Sequence, residues 1–327
     1  MELYTKYLDL DLKSPVIAGS CGLTDSINDL KAIEAAGAGA VVLKSVFEEE
    51  IYLEYAGEFN KLGSMEENLE FLDYYDVEIR QDNLKRYLSL VTEAKSVLKI
   101  PVIASINCVT SHEWSFFARK IEAAGADAIE LNLFILPSDL SQSSRDNENT
   151  YFDIIRRVIE KVKIPVSVKI SPYFSNLGRM ISDISSSGVK GLVLFNRFYS
   201  PDIDIDNEVV KSASKLSGVG DYRLPLRWIG MMANRVKCDM SASTGIHDWQ
   251  TVVKMLLAGA QSVQLVSALY KQGFSAITEI NDQILTWMEK KNYGSLSDFR
   301  GKLALGSSVN PAEYERVQFM KTFGEYK

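Results

Sequence analysis

The chain has 327 residues, 46% of them hydrophobic, with 36 basic against 43 acidic side chains and a formal net charge of -7. That balance, without a basic run, argues against nucleic acid or an anionic membrane surface as partner, and no apolar run reaches the roughly 20 residues of a spanning helix. Three scattered cysteines, two histidines and an amino terminus without a basic or apolar leader predict no disulfide framework, no metal site and no export, hence a cytoplasmic protein.

Residues 3–12 alternate polar and apolar and predict a short hairpin that plugs one end of the fold. Strand one is predicted over 15–19, helix one from an N-cap at Ser26 to Ala36, and strand two over 40–44. The acidic, aromatic stretch that follows, to about 82, is too long for an ordinary connection and reads as a functional loop or a solvated insertion. Helix two is predicted over 83–98, strand three over 101–106, helix three over 113–124 and strand four over 127–132. After a polar loop over 133–149 come helix four (150–162), strand five (165–170), helix five (176–187) and strand six (191–195). A second long loop leads to a short helix over 226–233, strand seven (237–242), an amphipathic helix and strand eight (262–266). A long helix over 274–290 and a polar extension over 291–327 close the chain.

Two phrases recur. Helix–glycine–strand junctions appear at Glu34-Ala-Ala-Gly-Ala, Glu122-Ala-Ala-Gly-Ala, Ser187-Gly188 and Ala258-Gly259-Ala260, with the glycine where a helix must end in a left-handed residue. Lys99-Ile-Pro-Val and Lys163-Ile-Pro-Val each open a strand, where proline precedes the ladder. Alternating strands and helices imply a parallel sheet. Eight strands and internal repetition favour one (β/α)8 TIM barrel over 1–327.

Chemistry in such a barrel sits at the C-terminal ends of the strands. Those ends read Ala18-Gly19-Ser20, Lys44-Ser45, Ser105 with Asn107, Glu130 with Asn132, Lys169, Asn196-Arg197, Thr244-Gly245 and Val266-Ser267. Period two puts Glu130 and Asn132 on one side of their strand, and a lysine ending a buried strand is costly unless paired. Asparagine offers donor and acceptor to a heterocycle edge, lysine stabilises developing negative charge, and the turns at Gly245 and Val266-Ser267 suit a phosphate. A phosphorylated flavin meets these requirements.

The segments SPVIAGSCG, VVLKS, IPVIASI, AIELN, IPVSVKISPY, VLFN and STGIHD…LLAGAQSVQLVSAL, in that order, resemble the dihydroorotate dehydrogenases over about residues 1–275. These are flavin-dependent (β/α)8 barrels that oxidise dihydroorotate to orotate in pyrimidine synthesis. The resemblance implies FMN at the barrel mouth, faced by Ala18, Gly19 and Ser20, with Lys44 and Ser45 near its ring. It implies ring contacts from Ser105, Asn132, Lys169 and Phe195, and phosphate contacts from Thr244, Gly245, Val266 and Ser267. Lys44, Asn132, Asn196 and Arg197 would meet the small-molecule substrate, and similar soluble relatives imply a homodimer. In the family a Cys or Ser in a phrase like ELNxSCPN takes the proton; here that phrase runs Glu130-Leu-Asn-Leu-Phe-Ile-Leu-Pro137 and puts Ile135 or Leu136 there. Ser138, ahead of Asp139 and Ser141, is the nearest replacement. The asparagine-rich loop after strand two is replaced by the acidic stretch, the Asn-Ser after strand six by Asn196-Arg197, and a Gly-Gly pair before strand seven is missing. Two other readings stay open: a flavin-free phosphate-binding isomerase or aldolase using Lys44 or Lys169, and a flavin-binding protein without dehydrogenase activity. His112, Cys21 and Cys108 read as structural residues.

Overall fold

Strands whose alternate residues are small or apolar on both faces must be covered on both, and a closed barrel does this with helices outside and side chains within. The computed structural model describes residues 1–47, 69–107, 114–198, 200–212, 215–308 and 312–316. Cys108, His112 and most of the acidic stretch lie outside them.

The predicted hairpin is β1 (Thr5–Tyr7) against β2 (Leu10–Leu12), antiparallel with Thr5 opposite Leu12. The following strands are β3 (Val16–Ala18), β4 (Ala40–Val42), a short β5 (Val46–Phe47), β6 (Val102–Asn107), β7 (Ala128–Asn132), β8 (Val166–Ile170) and β9 (Gly191–Leu194). After β10 (Pro201–Asp204) and β11 (Val209–Ser212) come β12 (Asp239–Ser243) and β13 (Ser262–Leu265). Pairing runs β3-β4-β6-β7-β8-β9-β12-β13 and returns from β13 to β3, parallel throughout: an eight-stranded closed barrel. The helices are α1 (Ile27–Ala35), α2 (Leu69–Val97), α3 (Trp114–Ala123), α4 (Ser144–Ile159), α5 (Leu177–Ser185), α6 (Arg223–Met232), α7 (Trp249–Ala258), α8 (Ser267–Gln272), α9 (Ser275–Lys291) and α10 (Ala312–Glu315). Among the described residues no helix is long and apolar enough to cross a membrane.

Four elements differ from expectation. Helix two begins at Leu69 rather than 83, because the acidic, aromatic stretch ends in helix. Helix four begins at Ser144 rather than 150: Ser143 and Asp146 form a reciprocal capping box inside what reads as polar loop. The loop after β9 carries the β10–β11 arm, whose strands touch no other sheet strand. Beyond β13 the chain turns into α8.

Alternation divides each strand between two cores. Val16, Ala18, Val41, Leu43, Val102, Ala104 and Ile106 pack with the helices, forming the outer sheath. Ile17, Ala40, Val42, Ile103 and Ala128 point into the lumen, where Tyr7, Leu8 and Leu12 of the hairpin fill the lower end. Above that floor the lumen turns polar: Ser105, Glu130, Ser167, Lys169, Ser241 and Gln264 are all buried.

The two recurring phrases meet in space. Glu34 Oε1 accepts the backbone N–H groups of Lys99 and Ile100 at 2.6 and 2.9 Å, and Glu122 Oε1 accepts those of Lys163 and Ile164 at 2.6 and 3.1 Å. Each glutamate thus ties the end of one helix to the start of the strand opening a later unit. The glycines closing the junctions, Gly37, Gly125, Gly188 and Gly259, have φ of 94, 96, 100 and 117°, the left-handed conformation the repeat requires. At the carboxyl end Tyr314 lies over Gly230 of α6, where an added Cβ would meet its ring at 2.3 Å, so this part of the extension docks on its own barrel. Hydrogen bonds to a charged acceptor contribute about 1.5–3 kcal/mol. Glu122→Ala should therefore lower the unfolding free energy by about that amount, while Glu122→Gln, which keeps one acceptor oxygen, should cost less. Chemical denaturation checks both, and equal losses would sink the clamp.

Candidate active site

The upper lumen is held by residues from opposite strands. Lys169 Nζ, on β8, donates to Gln264 Oε1 on β13 at 2.9 Å, and Gln264 Nε2 donates to Glu130 Oε2 on β7 at 2.5 Å. Lys169 Nζ stands 3.7 Å from Glu130 Oε1, an oxygen with no hydrogen-bond partner among the described residues. Lysine and glutamate are both buried, so each meets the cost of leaving water through the other. Below them, burial and then the charge of Glu130 push the Tyr7 hydroxyl well above its ordinary pKa.

A chain of hydroxyls runs along the ends of β3, β4 and β6. Ser20 Oγ is 3.1 Å from Ser45 Oγ, which is 2.7 Å from Ser105 Oγ, and the Ser45 N–H donates to Ser20 Oγ at 2.9 Å. Tyr87 anchors Ser105 twice, donating to its carbonyl at 3.0 Å and accepting from its N–H at 2.8 Å. Lys44 stands beside Asp25 at 3.8 Å. Asn196 Nδ2 donates to Asn132 Oδ1, joining the ends of β9 and β7 above Lys169.

At the other side of the mouth, Thr244 and Gly245 have φ of 80 and 77°. A threonine in the left-handed region is a strained outlier; its Oγ1 donates to Phe195 O at 3.0 Å, which holds the turn. A Cβ on Gly245 would lie 2.1 Å from Tyr222 N, so the chain packs there only with glycine. Ser217 Oγ accepts the Gly245 N–H at 3.3 Å, lies 3.2 Å from His247 Nε2 and donates to Ser267 Oγ at 3.0 Å. Burial, then the charge of Lys271, holds the His247 imidazole below its ordinary pKa.

These groups share one cleft. Of the sequence-named residues, Ser20, Lys169, Phe195, Asn196 and Arg197 line it, and so do Thr244, Gly245, Val266 and Ser267. Ser45 and Ser105 reach it through the hydroxyl chain and Asn132 through Asn196. Gly19 leaves room beside it, since a Cβ there would meet Val266 Cγ2 at 2.9 Å. Ala18 turns its methyl into the sheath, leaving only its backbone to the mouth. Arg197 is held by Asp221 at 3.9 Å and by the carbonyl of Lys215 at 3.2 Å. Lys215, Ser217, Ser243 and Gln264 also line the cleft, and none was singled out from sequence. Gln264 carried a signal, a lone amide inside a buried strand; Lys215 and Ser217 lie in a long loop and carried none.

The loop after β7 departs from the family phrase in structure as in sequence. Ile135 packs against the sheath, Leu136 is 63% exposed, and Ser138 is exposed with its N–H on Leu136 O. Asp139 is occupied by Ser141, which holds its carboxyl below the ordinary pKa. The loop instead contributes Phe134, whose ring centroid is 4.1 Å from Phe198, itself 4.7 Å from Tyr173. Three rings therefore gather where β7, β8 and β9 run out.

A family model described as dihydroorotate dehydrogenase matches residues 2–288. The chain is 30% identical over 212 residues to the dihydroorotate dehydrogenase B (NAD(+)) catalytic subunit of Pyrococcus furiosus, covering 63% of this chain and 70% of that protein. It is 25% identical over 316 residues to the protein of that name from Thermoplasma volcanium, covering 92% and 98%. For that of Methanocaldococcus jannaschii the identity is 25% over 303 residues, covering 89% and 94%.

His247 gives the site a pH signature. The folded chain disfavours its imidazolium, whereas the unfolded chain binds that proton near pH ~6.5. Its contribution to stability is present above that pH and is lost as pH falls below it toward the depressed folded value. Unfolding midpoints across that window should fall with pH for the native chain and more shallowly for His247→Gln; superimposable profiles would remove His247 from the account.

Proposed function

We propose an FMN-dependent reaction for this chain, which belongs to the dihydroorotate dehydrogenase family and is an oxidoreductase acting on CH–CH groups. The observation that carries the cofactor is the donor set of the mouth. Lys169, Gln264, Asn132, Asn196 and the Ser20–Ser45–Ser105 chain offer donors and acceptors to the edge of a flat heterocycle. At one end the Thr244-Gly245 turn, packed so closely on Tyr222 that it admits only glycine, forms a cradle with Ser217 and Ser267, and Lys215 and Arg197 lie close by. These residues fit FMN: the lumen groups would hold its ring system, and the cradle its phosphate.

When bound, FMN would supply the electron-accepting chemistry. The chain's own residues would do the rest. Lys169 would supply a positive charge to the ring system, compensated by Glu130 at 3.7 Å. Asn132 and Asn196 would orient the substrate's ring edge, and Lys44 would stand near it beside Asp25. Phe134, Phe198 and Tyr173 would exclude water from one flank. Ile135 at the family base position supports a substrate chemistry shifted from that of dihydroorotate, since an alkyl side chain turned into the sheath takes no proton.

The names of the relatives support electron exit to a nicotinamide-linked partner subunit. The β10–β11 arm supports a homodimer. Ile203 and Val210 oppose each other across its two strands and are 64% and 73% exposed, an apolar face that a second copy would cover.

The visible spectrum of purified protein, followed by anaerobic addition of dihydroorotate, tests this reading. Flavin absorption should be present, with slow or absent bleaching. Gly245→Ala, whose methyl would collide with the Tyr222 backbone and displace the turn, should purify without flavin. Native protein that is colourless and takes up no FMN would overturn the proposal in favour of a flavin-free phosphate-binding barrel.

A further inference from the structure

The lumen holds one network in which an amide stands between two charges. Gln264 comes from β13 and reaches across to β8 and β7, three and four strands away around the barrel. Its orientation is forced. The carbonyl oxygen faces the Lys169 ammonium at 2.9 Å and the NH2 faces the Glu130 carboxylate at 2.5 Å; the flipped amide would set donor against donor and acceptor against acceptor. Gln264 is 2% exposed, Glu130 1% and Lys169 7%, so water screens little of what these groups exert on one another. The ammonium and the carboxylate are held at 3.7 Å, beyond hydrogen-bonding distance, and Glu130 Oε1 stays without a hydrogen bond. A lysine free to move would close that gap. The Gln264 carbonyl accepts from Nζ at 2.9 Å, and both residues line the cleft.

We infer that Gln264 is a positioning residue that suspends the Lys169 ammonium between Glu130 and the mouth, and that this spacing sets how much positive charge the site presents. The inference rests on the flavin reading above. A cation near the electron-accepting ring favours its reduced, more negative form, and a buried carboxylate beneath opposes that effect. The two partners of Lys169 therefore act with opposite signs. Without the amide the ammonium drops onto Glu130 and the reduced form loses stabilisation. Without the carboxylate's charge the ammonium acts unopposed.

The experiment is the two-electron reduction potential of FMN-loaded native protein, Gln264→Leu and Glu130→Gln, by equilibration with a reference dye, with the unfolding midpoint of each. Gln264→Met serves as a second, better-filling variant should the leucine protein fail to fold. At fixed dye potential, Gln264→Leu or Gln264→Met should lower the reduced-to-oxidised ratio about tenfold, ~30 mV for a two-electron couple. Glu130→Gln, which keeps an oxygen to accept from Gln264, should raise the ratio by a similar factor. Shifts of the same sign, or unchanged potentials with lowered unfolding midpoints, would reduce the network to a structural role and overturn the inference. Failure of the native protein to take up FMN would overturn the flavin reading and this inference together, and absence of flavin colour separates that outcome from the others.

Discussion

Closing eight strands on themselves forces every second side chain into a space that must be filled. Here the filling is divided. The amino-terminal hairpin delivers Tyr7, Leu8 and Leu12 to the lower end, where Ile17, Ala40, Val42, Ile103 and Ala128 meet them. Serines, an amide and an ion pair occupy much of the upper half and must satisfy one another. From that division follow the cross-lumen network, the hydroxyl chain and the asparagine pair. Each joins strands that are distant in sequence, and each lies above the hydrophobic floor.

Much of this was legible before any coordinates. Junction glycines and Lys-Ile-Pro phrases marked where helices stop and strands begin, because a left-handed residue and a proline each tolerate few other settings. Polar residues ending apolar strands marked the mouth, since such residues are costly inside a sheath and inexpensive at a rim. Partnership was not legible. Gln264 is a lone amide in a buried strand, but its two partners come from strands that period and spacing do not place opposite it. Ser217 and Lys215 reach the cleft by the path of a loop, which no periodicity encodes. The start of α4 was written in Ser143 and Asp146 yet was hidden by the polar composition around them.

The mouth combines two histories. One side, from Ser20 through Lys169 to Gly245, gathers donors around the strained Thr244-Gly245 turn. The other, after β7, carries Phe134 with its neighbours Phe198 and Tyr173. In such a barrel different strand ends carry different tasks on one scaffold. Replacement at one end leaves the other intact.

A chain leaving the ribosome meets the glutamate clamps in order. Glu34 is made 65 residues before Lys99, and Glu122 is made 41 residues before Lys163. Until the later Lys-Ile-Pro phrase emerges, each carboxylate is only a helix end facing water. In the folded chain two backbone N–H groups of that phrase dock on the carboxylate and tie the new strand to a helix one unit back. Each clamp thus spans one unit of the chain, whereas closure of the ring joins its far ends, β13 to β3.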